Sequence, residues 1–258
     1  MSNKKTDKER VAIITGGASG IGAAIAAALA KKSWQVIIAD NNQSLGSTFA
    51  ESIGAEFQLV DLSQGSDCRS LVGYSIERFA RLDAVVNNAG FQTVAPVDEF
   101  PEDKWNSMLA VMLTAPFLLT KYAWPHMQRQ QWGRIINMAS IHSMIASPNK
   151  AAYVAAKHGL IGLTRTTALE GGQHGITVNA ISPAYVRTPL VENQIADQAK
   201  LNNISEDEVV DTVLLKNAAV KRLVEPEEVA KIALLLCSDE GASITGANWS
   251  IDGGWTAQ

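Results

Sequence analysis

The sequence predicts an α/β fold built on a doubly wound parallel sheet, on three observations. Short β-branched runs alternate with helical patterns along the whole chain, as crossover-connected parallel strands require. The first such run leads straight into a glycine-rich turn and an alanine-rich helix, TGGASGIGAAIAAALA. The 258 residues, 47% hydrophobic and 19% charged, suffice for one large domain with a core on both faces of such a sheet. No internal repeat, low-complexity tract or linker breaks the pattern, so a single domain over 1–258 is expected.

Taken in order, VAIIT (11–15) reads as a strand buried on both faces. In the G-x-x-x-G-x-G turn after it, Gly16 and Gly20 permit tight backbone geometry and Gly22 allows close helix packing. The helix N-terminus then offers free N–H groups to a pyrophosphate. QVIIAD, the second strand, ends at Asp40. A carboxylate there accepts hydrogen bonds from a ribose diol and repels a 2′-phosphate. Asn41 and Asn42 follow, and 15–22 carries no Arg or Lys, so NAD is favoured over NADP. Residues 44–54 read as a helix, AEFQLVDLS as a strand ending in Asp61 and Leu62, and 67–81 as an amphipathic helix. LDAVVNNAG is the fourth strand, with Asn87, Asn88 and Gly90 at its carboxyl end. Pro101 opens a long helix through WNSMLAVMLTAPFLLTKYAWPHM, and GRIINMAS is a strand reaching Ser140. A helix with YVAAK, the strand GITVNAIS, a polar insertion at about 187–221 suited to a lid, the helix EPEEVAKIALLLC and the strand GANWSIDGG complete the chain.

In YVAAK, Tyr153 and Lys157 are four residues apart and share a helix face, and Lys150 is expected on that face too. A phenol with an ordinary pKa of roughly 10 is a poor acid or base at neutral pH. A neighbouring ammonium lowers that value, which would make the pair a tuned acid/base.

The net charge of −4, from 22 basic and 26 acidic residues, gives no footprint for nucleic acid or an anionic membrane. Cys68 and Cys237 are isolated, lack metal-ligand spacing, and suggest a reducing compartment. No metal is expected. With no apolar run of about 18 residues and a polar start, neither a membrane span nor a signal peptide is expected, and the location is read as cytoplasmic.

TGGASGIG (15–22), NNAG (87–90), Ser140, YVAAK (153–157) and SPAYVRTPL (182–190), in this order and spacing, resemble the short-chain dehydrogenase/reductase family. The resemblance implies a single Rossmann-type domain and hydride transfer between a nicotinamide ring and an alcohol or ketone carbon. It implies Tyr153 as acid/base, Lys157 lowering its pKa and holding the nicotinamide ribose, and Ser140 donating to the substrate oxygen. For the dinucleotide it implies Gly16, Gly20, Ile21 and Gly22 along the cofactor, Asp40 on the ribose, and Asp61 and Leu62 by the adenine. Asn88 and Gly90 fall near its middle, and Pro183, Val186 and Thr188 at the nicotinamide end. Two positions depart from the family: Met112 stands where a catalytic asparagine is usual, and Ala184 where glycine is common. The backbone carbonyl that anchors the family's proton relay survives the first change, and only a local adjustment is expected from the second.

SIHS places His142 two residues after Ser140, and in an extended chain both side chains point the same way. With Lys150, Gln92 and Gln194 it suits a small carboxylate-bearing substrate. This set, together with GRIINMASIHS, TPLVENQI and DGGWTAQ, is similar to the 3-hydroxybutyrate dehydrogenases of the family. That similarity implies NAD-dependent interconversion of (R)-3-hydroxybutyrate and acetoacetate. Gln92, Ser140, His142, Lys150, Tyr153 and Gln194 would hold the substrate, Trp255 would close the pocket, and the assembly would be a homotetramer. The alternatives are a short-chain reductase of another ketone or a 3-oxoacyl thioester, and a non-catalytic NAD-binding sensor.

Overall fold

The computed structural model describes residues 10–202 and 204–257, with the side chains of 194, 196–198 and 200–202 left aside. Strands β1 (Val11–Thr15), β2 (Gln35–Asp40), β3 (Glu56–Leu59), β4 (Ala84–Asn87), β5 (Gly133–Met138), β6 (Ile176–Pro183) and β7 (Asn248–Ile251) form one sheet, in the order β3-β2-β1-β4-β5-β6-β7. Every pairing is parallel. The chain builds outward from β1 to β3, returns to β4 beside β1, and builds outward the other way. The resulting switch point leaves a crevice at the carboxyl ends of β1 and β4.

Alternate residues of each central strand feed opposite cores. Ala12 and Ile14 of β1 pack with Ile25 and Leu29 of α1 (Gly20–Lys31) and Val229 and Leu236 of α9 (Pro226–Cys237). Val11 and Ile13 pack the other way, against Leu71 of α3 (Gly65–Phe79) and Leu119 of α5 (Ala115–Gln130). Helices α2 (Gln43–Ile53), α4 (Glu102–Leu109) and α6 (Ala151–Gly171) complete the layers. The 187–221 insertion holds α7 (Pro189–Asn202) and α8 (Glu206–Val209). Its Val191, Ile195, Val209, Leu214, Leu215 and Ala218 form an apolar cluster with Leu223 just beyond it.

Four local expectations are corrected. β3 stops at Leu59, opposite Asp40, because β2 ends there; Asp61 and Leu62 lie in the turn beyond, where Asp61 accepts from the Ser63 N–H at 2.9 Å. The long helix after Pro101 is divided by a π-helical turn at Ala110–Thr114. Pro116 lacks the N–H that an α-helix would aim at the Met112 carbonyl, so the wider turn comes where that bond is lost. Lys150 is not within the helical stripe; it is the N-cap of α6, with φ −123° and ψ 33°. The Ser140–His142 segment is not extended, because Ile141–Ser143 forms a 3₁₀ turn.

Candidate active site

A cleft of about 480 Å³ opens at the switch point. Gly16, Gly20, Ile21, Asp40, Asp61, Leu62, Asn88, Gly90, Pro183, Val186 and Thr188 line it together with Ser140, Tyr153 and Lys157. Gly22 lies beneath: a Cβ there would sit 2.2 Å from the Gly16 carbonyl oxygen. Gly16 has φ +60°, and a Cβ on it would meet the Ala89 Cα at 2.9 Å, so only glycine lets β1 turn this close to β4. The Asn88 amide donates to the Thr15 and Gly16 carbonyls, each at 3.0 Å, and fastens the turn across the crevice.

These features fit a dinucleotide. Ser19, the N-cap of α1, makes no side-chain cap and the first turn carries no acid, so the N–H groups are open to an anion. The Asp40 carboxylate takes one N–H on each oxygen, Ala18 at 3.1 Å and Asn42 at 3.0 Å. Each oxygen keeps a lone pair for a ribose hydroxyl. Ala184 needs no left-handed backbone and donates to the Ile251 carbonyl at 3.2 Å, so the departure from glycine is local.

At the far end, Tyr153 packs with Met108, Met112, Ala152 and Ala156. Burial pushes its phenol up; a hydrogen bond with Ser140 pulls it down, and Tyr185 adds to the rise. The Lys157 ammonium, 4% exposed, donates to the Met138 carbonyl at 2.6 Å and lies 5.5 Å from the Tyr153 ring centroid. Burial brings Lys157 down to about 8. The expected lowering of the tyrosine by lysine is not among the causes at work in the protein alone, where the loss of water raises the phenol.

Ser140 is brought beside Tyr153, and the His142 ring meets the Tyr153 ring edge-on with centroids 5.9 Å apart. Both imidazole nitrogens face hydroxyls, Nδ1 toward Ser140 Oγ at 3.4 Å and Nε2 toward Ser147 Oγ at 2.8 Å. Burial, then Lys150 and His158, bring His142 down to about 4, so the ring is neutral at physiological pH. Lys150 is half-buried and lowered by burial. Gln92 lies three residues before Ala95, whose N–H donates to the carbonyl of Asn149, the residue before Lys150, at 3.0 Å. Its Nε2 is buried with no hydrogen-bond partner among the described residues. Gln194 lies on α7, but its side chain is outside those described. Trp255 stands on the C-terminal turn, where Asp252 accepts from Gly254 N–H, Thr256 N–H and Thr256 Oγ. Its ring meets Tyr185 at 5.7 Å and packs on the lid cluster.

Sequence reasoning passed over Tyr185 and Ser147. Tyr185 lies inside SPAYVRTPL, where the neighbours that line the cofactor cleft drew the attention. Ser147 carries no pattern at all and is found only through the His142 ring. Among the described residues no group of three or more His, Cys, Asp or Glu is placed to hold a metal. No helix there is long and apolar enough to cross a membrane.

Fold and cleft together define an oxidoreductase of the Rossmann type. The family model described as enoyl-(acyl carrier protein) reductase matches residues 16–256, and the chain belongs to the short-chain dehydrogenase/reductase family, whose members generally use NAD or NADP. It is 43% identical to a D-beta-hydroxybutyrate dehydrogenase of Rhizobium meliloti over 96% of this chain and 99% of the relative. It is 38% identical to a D-beta-hydroxybutyrate dehydrogenase of Cupriavidus necator, over 96% and 98%. The crystal structure of levodione reductase superposes with a TM-score of 0.89 at 32% identity, covering 96% of this chain and 98% of that one.

Proposed function

We propose that this enzyme interconverts (R)-3-hydroxybutyrate and acetoacetate with NAD as its cofactor. The observation that carries the substrate assignment is the buried, partnerless Nε2 of Gln92, three residues before the Ala95 N–H that donates to Asn149, the neighbour of Lys150 in sequence. A buried donor left unpaired costs about 1–3 kcal/mol, and a carboxylate held there removes that cost while meeting the Lys150 ammonium. His142 borders the same corner and contacts the carboxylate by exchanging one of its serine partners. Gln194 would reach in from α7, and Trp255 closes the far wall against Tyr185. The family relatives named above support the reading, and the R configuration rests on that likeness; a homotetramer follows from the sequence resemblance alone, and a cytoplasmic location from the isolated cysteines, the polar start and the lack of a long apolar run.

Asp40 on the ribose, with no arginine or lysine in 15–22, supports NAD over NADP. The cofactor supplies or accepts the hydride. In reduction, Tyr153 gives its proton to the carbonyl oxygen, and Ser140 donates to the same oxygen as charge builds on it. Oxidation runs these transfers backward. Lys157, fixed by Met138, holds positive charge near the phenol and offers N–H groups to the nicotinamide ribose. Pro183, Val186 and Thr188 hold the nicotinamide end.

Lys150→Met tests the carboxylate contact. We expect the KM for hydroxybutyrate to rise about 10-fold or more, as loss of a charge-assisted hydrogen bond implies, with kcat changed about 3-fold at most. An unchanged KM defeats the assignment.

A further inference from the structure

We infer that Ser143 is a positioning residue for the reaction: its hydroxyl holds the Ser140 carbonyl and so fixes where the Ser140 hydroxyl meets the substrate oxygen. The inference rests on Ser140 acting as a donor, as proposed above, but not on which alcohol is oxidised.

Ser140 stands two residues beyond the end of β5, where the chain leaves the sheet. Its backbone is extended, with φ −170° and ψ 166°, and the next three residues close the 3₁₀ turn Ile141–Ser143. The direction of its side chain is therefore set by how firmly the chain is held on each side. On the strand side the Met138–Ala139 peptide is fixed at both ends: its oxygen accepts from Lys157 Nζ at 2.6 Å, and its N–H donates to the Ile181 carbonyl at 2.8 Å. On the loop side the Ser140 carbonyl accepts twice from Ser143, from the backbone N–H at 2.9 Å and from Oγ at 2.6 Å. The backbone bond closes any 3₁₀ turn. The hydroxyl bond, the shorter of the two, is what this sequence adds.

A serine has one proton to give, and the surroundings of Ser143 decide where it goes. Ser143 is 6% exposed, and Ser182 behind it is fully buried. The Ser143 Oγ faces the Ser140 carbonyl and, at 3.1 Å, the Ser182 Oγ. Ser182 spends its own proton on Asn248 Oδ1 at 2.6 Å. The carbonyl is the nearer acceptor, so the Ser143 proton is committed to Ser140. The Ser140 Oγ in turn accepts the His142 N–H at 3.2 Å, while His142 Nδ1 is a distant acceptor at 3.4 Å. With its carbonyl and one lone pair both held, Ser140 presents its proton to the cleft that it lines. Ser143 is buried behind it and acts through it. Such placement matters because a donor stabilises developing charge only where its distance is preset.

The single-turnover rate of hydride transfer, followed by stopped flow, reads this placement free of product release. The alcohol is whichever member of a 3-hydroxy acid and thioester panel the wild-type enzyme oxidises, so failure on hydroxybutyrate alone counts against the substrate assignment only. Ser143→Ala should slow the transfer about 10-fold, with the KM values for alcohol and cofactor changed by less than about 2-fold. Ser140→Ala should slow it about 100-fold, the size of a lost oxyanion donor. Adding Ser143→Ala to Ser140→Ala should then cost less than about 2-fold more, because a residue that acts through another has nothing left to position. Ser182→Ala removes a buried partner of Ser143 but leaves the bond to Ser140, so it should lower Tm while keeping the rate within about 2-fold. A wild-type rate in Ser143→Ala, its full loss repeated on top of Ser140→Ala, or equal slowing by Ser182→Ala would each overturn the inference. An unchanged rate in Ser140→Ala would instead remove the donor role itself, and this inference with it.

Discussion

The Lys157 ammonium lies 5.5 Å from the Tyr153 ring centroid and is anchored at 2.6 Å to the carbonyl oxygen of Met138, the last residue of β5. A helix and a strand end thus fix one cation beside one phenol. The anchor has a thermodynamic signature. Burial brings Lys157 down to about 8 from 10.5, so between these values the unfolded chain binds the proton that the folded chain has released. Stability contributed by this group therefore rises with pH from about 8 to 10.5 and is flat below, by an amount on the order of 3 kcal/mol. Urea unfolding across that window should show the rise in the wild type and lose it in Lys157→Met; the same slope in both would disprove the burial effect.

Asp40 accepts the Ala18 N–H as well as facing the cleft, so its proposed contact with the ribose is coupled to the shape of the glycine turn. Asp40→Ala should lower kcat/KM with NAD by about 10-fold and that with NADP far less, since it removes both a ribose acceptor and a repulsive charge. An unaltered ratio of the two cofactors would place the adenosine end elsewhere.

Met112 is 1% exposed, and its sulfur lies 3.1 Å from where a Gly90 Cβ would be. Since Pro116 cannot donate to the Met112 carbonyl, the backbone oxygen does not depend on the side chain. Met112→Asn should keep kcat within about 3-fold and lower Tm, because it buries an amide among apolar neighbours at a cost of about 1–3 kcal/mol. A turnover raised by orders of magnitude would show that the side chain matters to proton transfer.

Where the chain's local rules act alone, the fold was legible. VAIIT before GGASGIG, and the β-branched runs of β2, β4, β5 and β6, fixed the strands because both faces are buried and no register slip keeps them so. The misreadings arose where a distant partner decides. β3 ends at Leu59 because β2 ends opposite it, which no feature of AEFQLVDLS reveals. The His142 turn and the Lys150 cap depend on loop geometry that periodicity does not encode. Both change how His142 and Lys150 lie relative to the extended run and the helix face that the sequence suggested. Tyr185 and Ser147 were missed since a lone Tyr or Ser carries no spacing signal. Gln92 was found through its place after NNAG, but only the structure exposes its unpaired amide.

The most direct test is the initial rate of NAD reduction by (R)-3-hydroxybutyrate, read from the absorbance of the reduced cofactor, beside the S enantiomer, the coenzyme A thioester and NADP in place of NAD. The account predicts turnover of the R acid with NAD at a kcat/KM at least about 10-fold above each alternative, the size of a single lost charge-assisted contact. Equal or faster turnover of the thioester, which has no carboxylate for Gln92 and Lys150 to hold, would contradict it.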